Sequence, residues 1–448
     1  MISLRRRLLY IAFILLFFTI TPLIYFLALG YKFDSGFKLQ KTGIFAIDST
    51  PSGAIIYLDD APVKTLSGKF LNKQNFRKTP QKIKNLLPGE YNVRLELDNY
   101  WPWEKKLTIY PGQTTFAEDV IFFKKDFPII ILENFKNISY SPDKTMAISW
   151  NNESLRLIDF KNDKITTIES SGLPSAGKIK WSANSKKAIL ENHLIDLVDF
   201  KELDLHDLIG NKISLAQWDI TESDNYIYYL NNDRLHSYNL DSKKTKPLLT
   251  EEIFQNFIIK NKKIYKISNE NNSTTLGIFN LADEKLIKKI NLPLSSYSFL
   301  NEENKLLNIY DTKYQTLYLI DENSTIKPLV ETFKDVSNDN TWINDNELLY
   351  SNALEIWMYN QKSNEKKLIT RVSNKINQIL WHPKNGHIIF LANNSINVIE
   401  LDNREKYNIT KILELPTIEN ISINTEGSIL YFEGIYQEKS GIYKLLVE

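Results

Sequence analysis

Histidine is where metal or acid–base chemistry would first show in a chain without a single cysteine. The five are His193, His206, His236, His382 and His387. None stands in a His-Glu-x-x-His frame, the spacing that puts two zinc ligands on one helix face. His382 and His387 flank a single turn, where a shared metal ion competes with two solvated turn residues. The absence of Cys excludes thiolate nucleophiles, Cys-rich zinc sites and a disulfide framework. No Gly-x-Ser-x-Gly elbow occurs, and with 15 Gly in all there is no glycine-rich phosphate loop. A Ser-His-Asp triad needs no sequence proximity, and nothing in the chain points to one. The expectation is no catalytic residue, no metal ligand and no cofactor.

Two residue series recur about every forty positions. Asp159, Asp199, Asn239, Asn280, Asp321, Asn360 and Glu400 each end an apolar run. They read either as a ring of carboxylates or as caps on turns at the periphery, and turn-capping is the expected role. Out of phase run Tyr140, Trp181, Trp218, Ile259, Leu300, Trp342, Trp381 and Ile423. They read as interior packing at a fixed depth.

Short strands at such a period are the mark of a β-propeller. In each unit a first strand ends at one of the second series, and a turn such as Ser141-Pro142-Asp143-Lys144 leads to an apolar second strand. A third strand ends at the first series, and a Lys-rich fourth lies outside, as in Lys366-Lys367-Leu368-Ile369. Eight first strands predict eight blades, or seven if the unit from Phe254 to Ile290 is irregular. The last unit, Ile418 to Val447, supplies three strands. The run Pro128-Ile129-Ile130-Ile131-Leu132 is expected to supply its fourth and so remove an open edge.

Ahead of this array, Leu8 to Gly30 carries no charge. Its 23 residues span about 34 Å as a helix, enough for a hydrocarbon core of about 30 Å. Arg5, Arg6 and Arg7 precede it, which predicts a cytoplasmic N-terminus and an extracytoplasmic bulk. Tyr25, Tyr31 and Lys32 suit the outer interface. A cleaved signal peptide is the competing reading, with Ala28-Leu29-Gly30 as a loose cleavage site. The uncleaved anchor is favoured because the run exceeds a signal h-region. The expected divisions are 1–7 basic tail, 8–30 transmembrane helix, 31–42 polar linker, 43–125 β-domain and 127–448 propeller. The fold class is all-β apart from the one N-terminal helix.

The 43–125 segment alternates as strands do, with Tyr91, Val93, Leu95 and Leu97 on one face. Its turns fall at Pro51, Gly53 and Ala54, at Pro88 and Gly89, and at Pro111 and Gly112. The run from Ser49 to Asp59, Thr79-Pro80, Leu86 to Val93, Asn99-Tyr100 with Trp103, and Pro111-Gly112 together resemble the PEGA domain. Ser52 stands where the family's name motif has Glu, and Ala61 to Lys78 is longer than its usual loop. The resemblance implies a small β-sandwich on an exported or surface protein, adhesive or structural, without catalytic residues. Trp101 and Trp103 read as strand-end packing, or as a platform on which a sugar ring could stack. The repeat units in turn resemble the TolB-like and WD-repeat-like propellers, most closely at Trp381-His382-Pro383 and Ser141-Pro142-Asp143.

A formal net charge of +1 offers no broad field to attract nucleic acid. Together these features predict a membrane-anchored extracytoplasmic binding or scaffold protein of the bacterial cell envelope. Its expected partners are the membrane through residues 8–30 and an envelope protein or cell-wall glycan. An enzyme using the propeller's central pocket on glycans or peptides is the alternative.

Overall fold

The computed structural model describes residues 4–448 except 66–74, 136, 163, 171, 176, 211, 222–223, 255, 271–272, 301–303 and 385. The chain divides into two compact units. One is Met1–Asp126 with Ile399–Ile412 and Glu448; the other is Phe127–Val398 with Leu413–Val447.

In the first unit the uncharged run folds as helix α1, Leu4–Ala28, with Pro22 inside it. Leu9–Ala28 has a mean hydropathy of 2.4 and is long and apolar enough to cross a membrane. The expected linker 31–42 is instead a two-stranded ribbon, Tyr31–Phe33 against Leu39–Lys41. Asp34 causes it: its Oδ1 accepts from Gly36 N and Lys38 N, each at 2.8 Å, and closes the turn.

The strands of residues 43–121 form two sheets. Gly43–Thr50 sits between Gln81–Leu86 and a parallel Thr114–Ile121, while Ile55–Leu58 and Gly89–Glu96 lead a second sheet with Trp103–Ile109 at its edge. Phe45, Ile47, Ile56, Val93, Leu95, Leu107 and Phe122 fill the space between, as alternation within strands requires. Gly53 and Gly112 take φ of +100° and +69°, which justifies glycine at those turns. Part of the long Ala61 to Lys78 stretch, 66–74, lies outside the described residues. Its arms pair antiparallel, with Thr65 N donating to Asn75 O and Arg77 N to Val63 O.

From Ile129 onward the forty-residue period becomes sheets. Among the described residues there are eight four-stranded antiparallel sheets, seven of them sequential, over residues 137–169, 179–204, 215–248, 256–292, 297–333, 340–371 and 376–414. The eighth joins Thr417–Ile423, Ile429–Tyr436 and Lys439–Leu446 to Ile129–Glu133. Second strands are apolar on both faces, as in the wholly buried His387–Ala392. Fourth strands are largely exposed, as in Glu365–Arg371.

A strand buried on both faces needs a neighbour on each side. Leu155 and Leu157 of sheet 1 pack on Ala188 and Ile195 of sheet 2. Tyr228 and Leu235 of sheet 3 meet Phe257 and Ile264 of sheet 4. Phe333 of sheet 5 lies against Tyr350 of sheet 6, ring centroids 4.6 Å apart and planes tilted by 51°. Ile442 of sheet 8 shares a cluster with Ile138, Ala147 and Ile158 of sheet 1, and Phe160 of sheet 1 stacks on Tyr431 at 3.9 Å.

The out-of-phase aromatic series has a second role beyond packing. Trp181 Nε1 donates to Ser139 Oγ of the preceding sheet, and Trp218 Nε1 to Lys180 O, both at 2.9 Å. The Tyr140 hydroxyl reaches Asn420 O of sheet 8. Other first strands are tied forward: Gln217 Nε2 to Phe257 O, Asn256 Nδ2 to Tyr297 O, and Gln378 to both backbone groups of Ile421. Asp339 Oδ2 accepts from Ile379 N at 2.6 Å, joining sheets 6 and 7.

The polar series caps turns, as expected. Asp159 Oδ1 accepts from Lys161 N and Asn162 N, and Asn280 and Asn360 repeat the pattern. In sheet 2 the cap is Asp196, not Asp199: its Oδ1 accepts from Val198 N and Asp199 N, because the third strand ends at Asp196. Glu400 departs from the pattern, as described below.

His382 and His387 are both buried, which corrects the solvated-turn expectation. His382 Nδ1 accepts from Lys384 N at 3.3 Å, so Nε2 carries the proton and donates to Gly427 O of sheet 8 at 3.0 Å. Gly427 has φ +78°, and a Cβ there would lie 2.3 Å from His382 Cε1. Gly427→Ala is therefore expected to lower stability by about 2–4 kcal/mol. Gly386→Ala, also at positive φ but facing open space, should lose only about 1 kcal/mol. Urea midpoints of the two variants measure this, and equal losses would contradict the ring contact.

Burial pushes the Asp339 carboxyl up to about 6, against the hydrogen bond from Ile379 N. The folded state then holds a proton that the unfolded chain releases near 3.8. Stability from this group is present below about pH 4 and is lost as pH rises through about 6, by at most about 3 kcal/mol. Asp339→Asn keeps the acceptor and should remove that slope. Unfolding curves of both proteins at pH 4, 5 and 6.5 check it, and a stability difference that does not move with pH would be inconsistent with it.

Candidate binding cleft

The strands position a cleft of about 710 Å³ in the second unit. Its walls come from three kinds of connection at one end of sheets 5 to 7. Asp335–Asn338 cross from sheet 5 to sheet 6, Asn352–Glu355 turn within sheet 6, and Arg371 to Asn377 cross to sheet 7. Loops held on a rigid frame in this way are where ligands usually bind.

Asn352 builds the turn. Its Oδ1 accepts from Leu354 N and Glu355 N, and its Nδ2 donates to Glu355 Oε2 at 2.9 Å. Trp357 Nε1 donates to the same carboxylate oxygen at 3.1 Å, and Arg371 Nε stands 3.8 Å from Oε1. The Asn352 and Trp357 hydrogen bonds, with Arg371 beyond them, hold the Glu355 carboxyl below the usual range. It stays ionised near neutrality and has no proton to lend to a reaction. Tyr310 in the wall keeps its proton, since burial raises its pKa, and it donates to Val336 O at 2.9 Å.

The exposed rim carries Gln315, Asp335, Asn338, Arg371, Lys375 and Asn377. Amides and balanced charges of both signs line the space. Such a surface offers paired donors and acceptors to a neutral or zwitterionic polar ligand. It does not present the single-sign field that a polyanion needs.

None of the residues singled out in the sequence lies in this cleft. Trp103 is 7% exposed, and its Nε1 donates to Glu400 Oε2 at 2.9 Å. That burial withdraws Trp103 from the expected stacking platform. Trp101 is half-buried, with Lys125 Nζ 4.9 Å from its ring centroid, a cation–π pair that occupies one face. Pro51, Ala54, Pro88 and Pro111 flank strand ends as turn residues, whereas Gly89 opens the strand Gly89–Glu96 and pairs with Ile109.

Within the first unit, Glu400 does not cap its own turn. Its Oε2 accepts from Trp103 Nε1 and from Asn408 Nδ2 at 3.0 Å, and Lys105 Nζ lies 3.4 Å away. Lys105 is fully enclosed; it donates to Asp402 O at 2.6 Å and pairs with Asp402 Oδ2 at 3.4 Å. Burial pushes the Asp402 carboxyl up, but hydrogen bonds from Arg404 outweigh it, so it ends below the usual carboxylate range. This ion cluster is structural: every charge in it is spent on another.

The remaining histidines are also engaged. His193 Nδ1 lies 2.7 Å from Glu202 Oε1, and His236 stacks on Tyr229. His206 N is received by Asp204, the cap of a short helix α2, Leu205–Ile209. Among the described residues, no three His, Asp or Glu side chains are grouped to hold a metal ion. Neither Glu355 nor Arg371 stands out by residue type or spacing. The one available signal was their place, in the second-to-third-strand turn and the crossing between sheets, not their type.

Residues 70–119 match the PEGA domain family. No curated protein matches the chain in sequence. Among solved structures, the Dos1 propeller is similar at 13% identity and a TM-score of 0.49, over 73% of this chain and 96% of that one. The Hsv2 protein of Kluyvelomyces marxianus is similar at 13% and 0.42, over 63% and 98%. The Cps50 (Swd1) β-propeller domain of Myceliophteria thermophila is similar at 11% and 0.41, over 62% and 98%. Likeness at these values says nothing of activity. The chain is mostly β, propeller-like in its second unit, and carries a PEGA domain match and one N-terminal apolar helix.

Proposed function

We propose that the chain is a membrane-anchored, extracytoplasmic binding and scaffold protein of the bacterial cell envelope. Residues 43–125 act as the PEGA-like module. Residues 127–448 form one TolB-like propeller, in which the eight sheets are blades and Ile129–Glu133 closes the ring. Helix α1 holds the chain in the membrane, with Arg5 to Arg7 on the cytoplasmic side. The cleft at sheets 5 to 7 takes a segment of an envelope protein or a cell-wall glycan.

The observation that carries this reading is the cleft itself. It has the volume of a ligand site and a charge-balanced, amide-rich rim on rigid loops, and the partly exposed carboxylate in its wall, Glu355, is held ionised by its hydrogen bonds. Those are the properties of a surface that recognises and holds.

The test uses the detergent-solubilised full chain on a cell-wall glycan array and in cross-linking to an envelope fraction. One class of ligand is expected to bind. Asn338→Trp, which fills the cleft, and the pair Arg371→Glu with Lys375→Glu should each weaken that binding about tenfold or more. Binding that survives both changes, or no binding to either class, contradicts the assignment.

A further inference from the structure

We propose that the ribbon formed by Tyr31–Phe33 and Leu39–Lys41 is a second membrane contact, lying against the bilayer surface beside the end of α1. The inference rests on the reading of α1 as a membrane helix.

Strand geometry sorts the ribbon's side chains onto two faces. Tyr31 pairs with Lys41 and Phe33 with Leu39, so these four share one face. Lys32 pairs with Gln40 on the other. The Lys32 face is taken: its Nζ donates to Asn85 O of the β-domain at 2.5 Å. On the opposite face Lys41 lies over Gly112 of the β-domain, while Phe33 is 49% and Leu39 36% exposed.

This apolar face continues the surface of the helix. The Tyr31 ring meets that of Phe26 edge-on, centroids 5.6 Å apart, and Phe26 belongs to the span Leu9–Ala28. The side of the ribbon that carries Phe33 and Leu39 therefore adjoins a ring that faces lipid when α1 is in the bilayer. Amphipathic strands with aromatic residues at this depth suit the headgroup boundary.

The tip is the third observation. Phe37 is 88% exposed and has φ +58°, a backbone state that a bulky residue rarely takes. Asp34 holds it there: Oδ1 accepts from Gly36 N and Lys38 N, and Oδ2 from Gln40 Nε2 at 2.7 Å. A turn braced so firmly around an exposed phenylalanine presents that ring to an apolar phase. Lys38 beside it is exposed and suits lipid phosphates.

The absence of Cys makes the test direct. Full-length Phe37→Cys, Leu15→Cys and Ser363→Cys chains are each labelled with an environment-sensitive fluorophore and reconstituted in phosphatidylcholine vesicles. Lipids spin-labelled near the headgroup or near the chain end serve as quenchers. The position-37 probe is expected to show blue-shifted emission and quenching by the shallow label. The position-363 probe should show neither, and the position-15 probe should be quenched by the deep label. A water-like, unquenched probe at 37 beside a quenched probe at 15 overturns the ribbon contact and leaves the anchor standing. An unquenched probe at 15 overturns the anchor, and the ribbon proposal with it.

Discussion

A side chain on the first strand of one sheet bonding to the first strand of the next is the constraint on which the second unit depends. Trp181 reaches Ser139, Trp218 reaches Lys180, and Tyr140 reaches Asn420. Gln217, Asn256, Asp339 and Gln378 continue the linkage. Apolar packing alone is nondirectional and would allow neighbouring sheets to slide. A directed bond from a fixed position on each strand sets the register between sheets, while burial of second strands such as His387–Ala392 supplies the driving force. Sheets 5 and 6 are joined by packing of Phe333, Tyr350 and Tyr359 and by the ion pairs Lys366–Glu331 and Lys305–Asp345. The cleft opens beside that pair, where connections rather than strands form the walls.

Much of this frame was legible because it repeats. A cap such as Asp159 or Asn360 is recognisable by type and spacing, and each is confirmed by the backbone amides it holds. Sheet 2 slipped by three residues because both Asp196 and Asp199 follow an apolar run, and only the strand's end decides which one caps. The ribbon at 31–42 was missed because its strands are too short to show a period and its turn depends on one carboxylate, Asp34. The cleft was invisible for a different reason. Its residues stand far apart in sequence, and amides such as Asn338 and Asn352 do not stand out in an Asn-rich chain. His382 and Gly427 illustrate the same limit: a buried ring against a bare backbone requires two turns 45 residues apart to be seen together.

Glu400 shows how one methylene can redirect a repeat. In place of the Asp or Asn that caps its own turn elsewhere, its longer side chain receives Trp103, Lys105 and Asn408. Lys105 is wholly enclosed, so its charge is tolerable only because Glu400 and Asp402 both face it. The first unit thus gathers a segment from late in the chain around an ion cluster, while its own strands close over Phe45, Ile56 and Leu95.

The central claim is that the eighth sheet is composite, with Ile129–Glu133 as its outer strand along Lys439–Leu446. Hydrogen–deuterium exchange of the full chain tests it most directly. The account expects amides of Ile129–Glu133 to be protected together with those of Lys439–Leu446 and to open with them under mild denaturant. Exchange of Ile129–Glu133 at unfolded-chain rates, while Lys439–Leu446 stays protected, would contradict it.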